Sequence, residues 1–169
     1  RRKVLAQLSG RRIVEMVNED LKLSDILTRE AFENSIKVNA AIGGSTNFVI
    51  HLLAIAGRIG VSLDINDFDV LSANIPLIAN LQPSGKFFME DFYYAGGLPV
   101  VMKEMIDHLH ETCKTVTGKT VIENISKAEI WDSNVIATTG EPFNLQSGIV
   151  VLKGNLCKNG AIMKPSAAS

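Results

Sequence analysis

The sequence predicts an α/β protein, in which the helix-rich part of a layered α/β domain precedes the first strands of a β-barrel-like domain. Apolar residues recur at helical spacing over much of residues 1–130, which we assign to the first domain. Short β-rich runs separated by Gly, Pro and Asn follow over residues 131–169, which we assign to the start of the second domain. A length of 169 residues suits one ordinary core, or one domain and the edge of another.

The first elements are predicted from spacing and capping. Residues 11–20 place Ile13, Val14 and Val17 on one side of a helix. Thr28 is placed to cap the next helix, which has acidic side chains in its first turn. Gly43 and Gly44 should end that helix, and a further helix should run from Ser45 or Thr46 to about residue 57 or 60.

The later elements follow the same signals. Asp67 is predicted to cap a short helix, and the run IPLIANL (75–81) to form a buried strand closed by Pro83-Ser84-Gly85. Two helical segments should meet at Gly96-Gly97. The run 114–129 indicates a strand, a glycine turn and a short helix.

Composition excludes several classes of function. The net charge of -1, with both signs interspersed, gives no field for nucleic acid or for an anionic membrane. No apolar run reaches the roughly 18–20 residues that cross a bilayer. Cys113 and Cys157 make neither a disulfide framework nor a zinc pattern, so we expect a reduced, cytoplasmic setting. The chain begins without Met and shows no targeting sequence, and we expect it to be a piece of a longer polypeptide.

The most informative stretch is Gly-Gly-Ser-Thr-Asn at residues 43–47, called the corner below. The helix after it is apolar on nearly every side, which predicts a central position. Asn47, His51 and Arg58 share one stripe of that helix. With the Ser45 and Thr46 amides, this stripe could face a pocket for an anionic substrate. The alternative is a glycine-permitted turn, a serine cap and a core histidine, and the residues alone favour this alternative.

Other motifs give no chemistry. The corner lacks the lysine of a P-loop, and GxGxxG is absent. His108 and His110, two positions apart on a helix, would point to different sides and share no metal ion. The aromatic residues near 87–94 have no basic stripe beside them, so nucleic-acid binding is not expected.

Four blocks of the chain resemble one known family. They are LTREAFENSIKVNAAIGGSTNFVIHLLAIAGRIGVSL, PSGKFFMEDFYYAGGLPVVMKEM, TVTGKTVIENI and GIVVLKGNLCKNGAIMKPSAAS. In order and along essentially the whole chain they are similar to the dihydroxy-acid dehydratase / 6-phosphogluconate dehydratase family. The forms LQPSGKFFMEDFYYAGGLP and KPSAAS look most like its sugar-acid branch, the arabinonate and xylonate dehydratases.

The resemblance implies a much longer enzyme that removes water from a 2,3-dihydroxy carboxylate to give a 2-keto-3-deoxy acid. It implies an iron–sulfur cluster (2Fe-2S or 4Fe-4S) as Lewis acid, a magnesium ion and a catalytic serine. Carried over residue by residue, it places the cluster cysteines, magnesium ligands and catalytic serine outside residues 1–169. Cys113 and Cys157 match no cluster ligand. We therefore expect no catalytic and no metal-binding residue here, and no cofactor bound by this segment alone.

The corner does match the family pattern, so Ser45, Thr46, Asn47 and His51 are the candidate substrate-pocket residues. The preferred hypothesis is part of a hydro-lyase acting on a sugar acid such as arabinonate or xylonate. The first alternative is a dihydroxy-acid dehydratase of branched-chain amino-acid biosynthesis, and the second is a non-catalytic anion-binding module. Expected partners are a small-molecule acid and further copies of the chain, as a dimer or tetramer, with neither nucleic acid nor membrane.

Overall fold

A computed structural model describes residues 2–146 and 148–165, and it confirms a helix-rich α/β fold. The end of the last resembling block, residues 166–169, lies outside the described residues. The helices are α1 (Arg2–Asn18), α2 (Leu23–Ile26), α3 (Arg29–Ala41), α4 (Asn47–Ile59), α5 (Ile65–Ser72), α6 (Met89–Tyr94), α7 (Gly97–Glu104), a 3₁₀ turn (Ile106–His108) and α8 (Val121–Ile125). Strands β1 (Val150–Leu152) and β2 (Ala161–Met163) form an antiparallel hairpin, with Val150 opposite Met163.

The larger core forms where α6 and α7 pack on two extended segments, residues 75–81 and 135–137. The first segment is the predicted buried strand. It is extended and buried, but it pairs only through isolated bridges, including Ala79 with Ile136. Residues 135–137, which the sequence assigned to the second domain, are buried in this core. The domain boundary after residue 130 stays a prediction.

A smaller core lies between α3, α4, α5 and the hairpin. It holds the buried residues Phe32, Ile36, Val49, Leu52, Ala56 and Phe68, against which Val151 and Ile162 of the hairpin pack. The prediction that α4 is central is wrong for the described residues. Ile50 is 68% exposed and Ile59 is 43% exposed, because no described element covers that side of the helix.

Of the two helix caps predicted from the sequence, the structure confirms one and contradicts the other. Thr28 caps α3, since its hydroxyl accepts a hydrogen bond from the Ala31 N–H at 3.3 Å, as predicted. The cap of α5 is Asp64 and not Asp67, so that prediction is wrong. Asp67 lies one turn further on and accepts hydrogen bonds from the Arg29 guanidinium at 2.5 and 3.1 Å. This ion pair ties the start of α5 to α3.

Helix α1 is the least covered element. Val14 is 60% exposed and Val17 is 74% exposed, and Met16 is its one buried residue among those described. Arg12 anchors the helix, donating to the Val116 carbonyl at 2.6 Å. None of the helices in the described part of the chain combines the length and apolarity needed to cross a membrane.

Candidate functional site

The corner is a tight backbone reversal between α3 and α4. Gly43 has a φ of 58°, in the left-handed region that favours glycine. A Cβ on Gly44 would lie 1.9 Å from Oδ1 of the buried Asn39, so a side chain there must displace a core residue. Gly44 also donates to the Asn39 carbonyl at 2.9 Å. Both glycines are therefore required by the turn itself, as the structural interpretation of the sequence supposed.

Two residues of the corner present backbone donors at the start of α4. Within residues 2–146 and 148–165, no group accepts a hydrogen bond from the N–H of Ser45 or Thr46. The Ser45 hydroxyl accepts from the Asn47 N–H at 3.2 Å, while the Thr46 side chain makes no cap hydrogen bond. The first turn of a helix with free N–H groups favours a negative charge nearby.

Ser45 and Thr46 line a cavity of about 610 Å³, called the corner cavity. Its walls come from the corner, from the loop after residue 81, from Met89 and from the end of β2. The lining residues are Ile42, Gly43, Gly44, Ser45, Thr46, Leu81, Gln82, Pro83, Met89, Ile162, Met163 and Lys164. The Lys164 ammonium donates to the Gly43 carbonyl at 2.6 Å. A volume of this size is within the usual range for small-molecule sites, about 300–1,000 Å³.

The four candidate pocket residues therefore divide into two pairs. Ser45 and Thr46 line the corner cavity. Asn47 and His51 are exposed on the outer side of α4 and are not among the lining residues. The stripe predicted from helical spacing exists, but in the described part of the chain it faces solvent.

Lys164 is the residue that the sequence analysis missed. It follows β2 directly and is half-buried. Burial lowers its pKa below the ordinary value of a lysine, because desolvation penalises the charged form. A single lysine that ends the apolar run GAIM was the available signal, but lysines commonly end exposed strands.

A second cavity, of about 550 Å³, lies between α3, α4, α7 and residues 113–116. Its walls are largely apolar, and Phe32, Leu52 and Met102 are among the lining residues. Cys113 also lines it. Burial raises the pKa of this thiol, and the charge of Glu30 raises it further, so the thiol stays protonated near neutral pH.

The two histidines of the DHLHE run serve structural contacts. His108 ends the 3₁₀ turn, and its carbonyl accepts from the Lys37 ammonium at 2.8 Å. The His110 ring lies 2.8 Å from Glu33 Oε2, and Glu33 also accepts from Arg29 at 2.8 Å. Among the described residues, no group of three or more His, Cys, Asp or Glu side chains is arranged to hold a metal ion.

Comparison with known proteins places these features in a family. Residues 1–124 match the family model described as dihydroxy-acid/6-phosphogluconate dehydratase N-terminal. The whole chain is 55% identical to an L-arabinonate dehydratase of Rhizobium leguminosarum bv. trifolii and 52% identical to an L-arabonate dehydratase of Azospirillum brasilense. A dihydroxy-acid dehydratase of Methanothermobacter thermautotrophicus is 43% identical, again over the whole chain. The chain spans only 30–31% of the length of these relatives. The chain belongs to the dihydroxy-acid/6-phosphogluconate dehydratase family.

Proposed function

We propose that the protein is a hydro-lyase that dehydrates a 2,3-dihydroxy carboxylate, a sugar acid such as arabinonate or xylonate, to a 2-keto-3-deoxy acid. The supporting observation is the order of identities over the same stretch of chain. Relatives named arabinonate or arabonate dehydratase are 52–55% identical, whereas those named dihydroxy-acid dehydratase are 43–46% identical. This difference favours the sugar-acid branch over the branched-chain alternative.

In the proposed reaction the substrate loses the proton on C2 and the hydroxyl on C3, which leave together as water. The resulting enol tautomerises to the 2-keto acid. Such a reaction requires the carboxylate end of the substrate to be held in a fixed orientation. We assign part of the substrate pocket to the corner, because Ser45 and Thr46 line a cavity at the start of α4. We assign no acid or base in the reaction to residues of this chain.

The cofactors implied by the family resemblance do not fit the residues present. Cys113 lines an apolar cavity, and the Cys157 thiol donates to the Gly160 carbonyl at 3.1 Å within the hairpin turn. No metal-holding group of side chains lies in the described ranges. We therefore derive no step through an iron–sulfur cluster or a magnesium ion, and dependence on both stays a proposal about the whole protein.

The substrate assignment is tested by assaying the full-length protein against L-arabinonate, D-xylonate and 2,3-dihydroxyisovalerate and measuring keto-acid formation. We expect the highest kcat/KM with one of the two sugar acids. Preferred turnover of 2,3-dihydroxyisovalerate would move the protein to the branched-chain alternative. Turnover of none of the three would contradict the proposal.

The corner has a separate test in the same protein. If the exposed side of α4 meets substrate in the whole enzyme, Asn47→Ala and His51→Ala should lower kcat/KM more than they lower thermal stability. Arg58→Ala, at the far end of the same stripe and two turns further along α4, measures how far along the helix the effect extends. Equal loss of stability with unchanged turnover would make Asn47 and His51 structural residues.

Two further parts of the proposal concern the setting of the whole protein. A cytoplasmic location agrees with Cys113 and Cys157 being free thiols. Assembly as a dimer or tetramer is proposed from the family resemblance, and light scattering of the purified full-length protein would measure it.

A further inference from the structure

The corner cavity is walled by both stretches whose forms resemble the sugar-acid branch. The stretch LQPSGKFFM contributes Leu81, Gln82, Pro83 and Met89 to the lining, and Lys164 is the first residue of KPSAAS. The fold therefore brings together, at one cavity, residues from the two stretches by which the sequence looks most like a sugar-acid dehydratase.

The polar groups on this wall are mostly neutral. Gln82 carries a side-chain amide, and Ser45 and Thr46 carry hydroxyls. Among the lining residues that the structure describes, Lys164 is the only charged one. An amide and a hydroxyl each donate and accept hydrogen bonds, so the matching ligand group is one that also does both. An alcohol meets this requirement, whereas a methyl group would leave such wall groups without a partner.

These wall groups keep hydrogen-bonding capacity for a ligand. The Gln82 amide nitrogen donates to the Lys86 carbonyl at 3.4 Å, a long contact, and no described residue donates to the amide oxygen. The Thr46 hydroxyl has no hydrogen-bond partner within residues 2–146 and 148–165. The Lys164 ammonium uses one of its three donors on the Gly43 carbonyl, which leaves two.

One end of the proposed substrate is left for residues of this chain. The family resemblance gives the carboxylate to a magnesium ion and the C3 hydroxyl to an iron–sulfur cluster, and it places the ligands of both outside residues 1–169. Beyond C3 a five-carbon sugar acid has hydroxyls on C4 and C5. The acid of the branched-chain alternative, 2,3-dihydroxyisovalerate, has only methyl groups there. The two substrate classes therefore differ at the end that remains.

We propose that the corner cavity binds the C4–C5 end of the sugar acid, and that Gln82 determines specificity by exchanging hydrogen bonds with the hydroxyls there. This inference rests on the proposed function, because it takes the ligand to be a sugar acid. The Ser45 and Thr46 hydroxyls and the Lys164 ammonium complete the polar side of the subsite. Such a site rejects a substrate without these hydroxyls, since binding it leaves desolvated polar groups unpaired.

The test compares two substrates that differ only in these hydroxyls. L-arabinonate and 2,3-dihydroxypentanoate with the same arrangement at C2 and C3 share the carbon chain, the carboxylate and the reacting groups. The second acid lacks the C4 and C5 hydroxyls. Both are supplied together to the full-length protein, and the two keto acids formed give the ratio of the kcat/KM values. This ratio does not depend on how much of a variant is folded.

Wild type should prefer arabinonate, and Gln82→Leu should reduce that preference about 10–100-fold, as expected when a hydroxyl loses its partner in the site. Gln7→Leu is the matched control, because Gln7 is exposed on α1 and is not among the lining residues, and it should keep the wild-type ratio. Thr46→Val keeps the side-chain shape and removes the hydroxyl, so it should also reduce the preference.

A merely structural role would give a different pattern. If Gln82 only holds its own loop through the Lys86 carbonyl, Gln82→Leu lowers the melting temperature and leaves the ratio within about twofold of wild type. That result would overturn the inference. Where Gln82→Leu does not fold, an unchanged ratio in Thr46→Val would overturn it instead.

The same assay separates failure of the inference from failure of the proposed function. If wild type dehydrates arabinonate and 2,3-dihydroxypentanoate equally well, or if the variants keep the wild-type preference, the function stands and the inference fails. If wild type dehydrates 2,3-dihydroxyisovalerate and neither arabinonate nor xylonate, the sugar-acid assignment fails and the inference fails with it.

Discussion

Replacing Gly148 with alanine should weaken the contact between the segment before β1 and Gly43 of the corner. Gly148 lies two residues before β1, and its N–H donates to the Ala40 carbonyl at 3.4 Å. An added Cβ would lie 2.6 Å from Gly43 Cα, where ordinary contact begins at 3.4 Å. Because the opposing atom is backbone, no rotamer change relieves the overlap. The two backbones must move apart by about 0.8 Å, and overpacking of this kind costs about 1–3 kcal/mol.

The matched control is Gly154→Ala. Gly154 lies in the turn between β1 and β2, where an added Cβ meets nothing within 4 Å. Urea unfolding of the full-length protein, followed by circular dichroism, compares the two. We expect the transition that reports this region to occur at lower urea for Gly148→Ala, with the control unchanged or up to about 1 kcal/mol more stable. Equal midpoints for Gly148→Ala and wild type would refute the close backbone contact and the position of the corner cavity wall.

Other predictions concern single contacts. Hydrogen bonding from Arg29 holds the pKa of Asp67 below its ordinary value despite burial, so this ion pair stabilises the fold above about pH 4 and the contribution is lost as pH falls through the lowered pKa. Asp67→Asn should cost about 1.5–3 kcal/mol at pH 7 by urea unfolding; a difference that does not shrink below pH 4 would contradict this. Met105→Ala, at a fully buried site, should cost about 2–5 kcal/mol, and a cost under about 1 kcal/mol would mean the site is not packed as described. Thr28→Ala should lower the free energy of unfolding by about 1 kcal/mol and Thr28→Ser by much less, because serine keeps the capping hydroxyl. Equal stability of Thr28→Ala and wild type would contradict the cap. Cys113 should be alkylated by iodoacetamide at pH 8 far more slowly in native protein than in urea, measured by peptide mass spectrometry; equal rates would contradict its burial.

Much of the helical architecture could be predicted because its signals are local. The cap at Thr28, the end of α3 at Gly43-Gly44 and the end of α4 at Gly60 each depend on a few neighbouring residues. The choice of Asp67 over Asp64 failed because either aspartate can begin a helix by composition alone. In the structure Asp64 caps α5, while Asp67 accepts hydrogen bonds from the Asp64 N–H and from Arg29, which lies 38 positions earlier.

The exposure of α4 and the composition of the cavity wall could not be predicted in this way. The apolar pattern of α4 indicates that several of its sides avoid water, but not which part of a long polypeptide covers each side. Ile50 illustrates this, being apolar and 68% exposed among the described residues. The Lys164–Gly43 contact joins residues 121 positions apart, and no local pattern encodes it.

That separation has a consequence for the order in which the protein assembles during synthesis. The ribosome completes the corner early, and α3 and α4 can form from local contacts at once. One wall of the corner cavity arrives only when Lys164 has left the exit tunnel. Until then the nascent chain presents the Ser45 and Thr46 N–H groups to solvent and chaperones, and a translation product that stops before residue 164 cannot close this cavity.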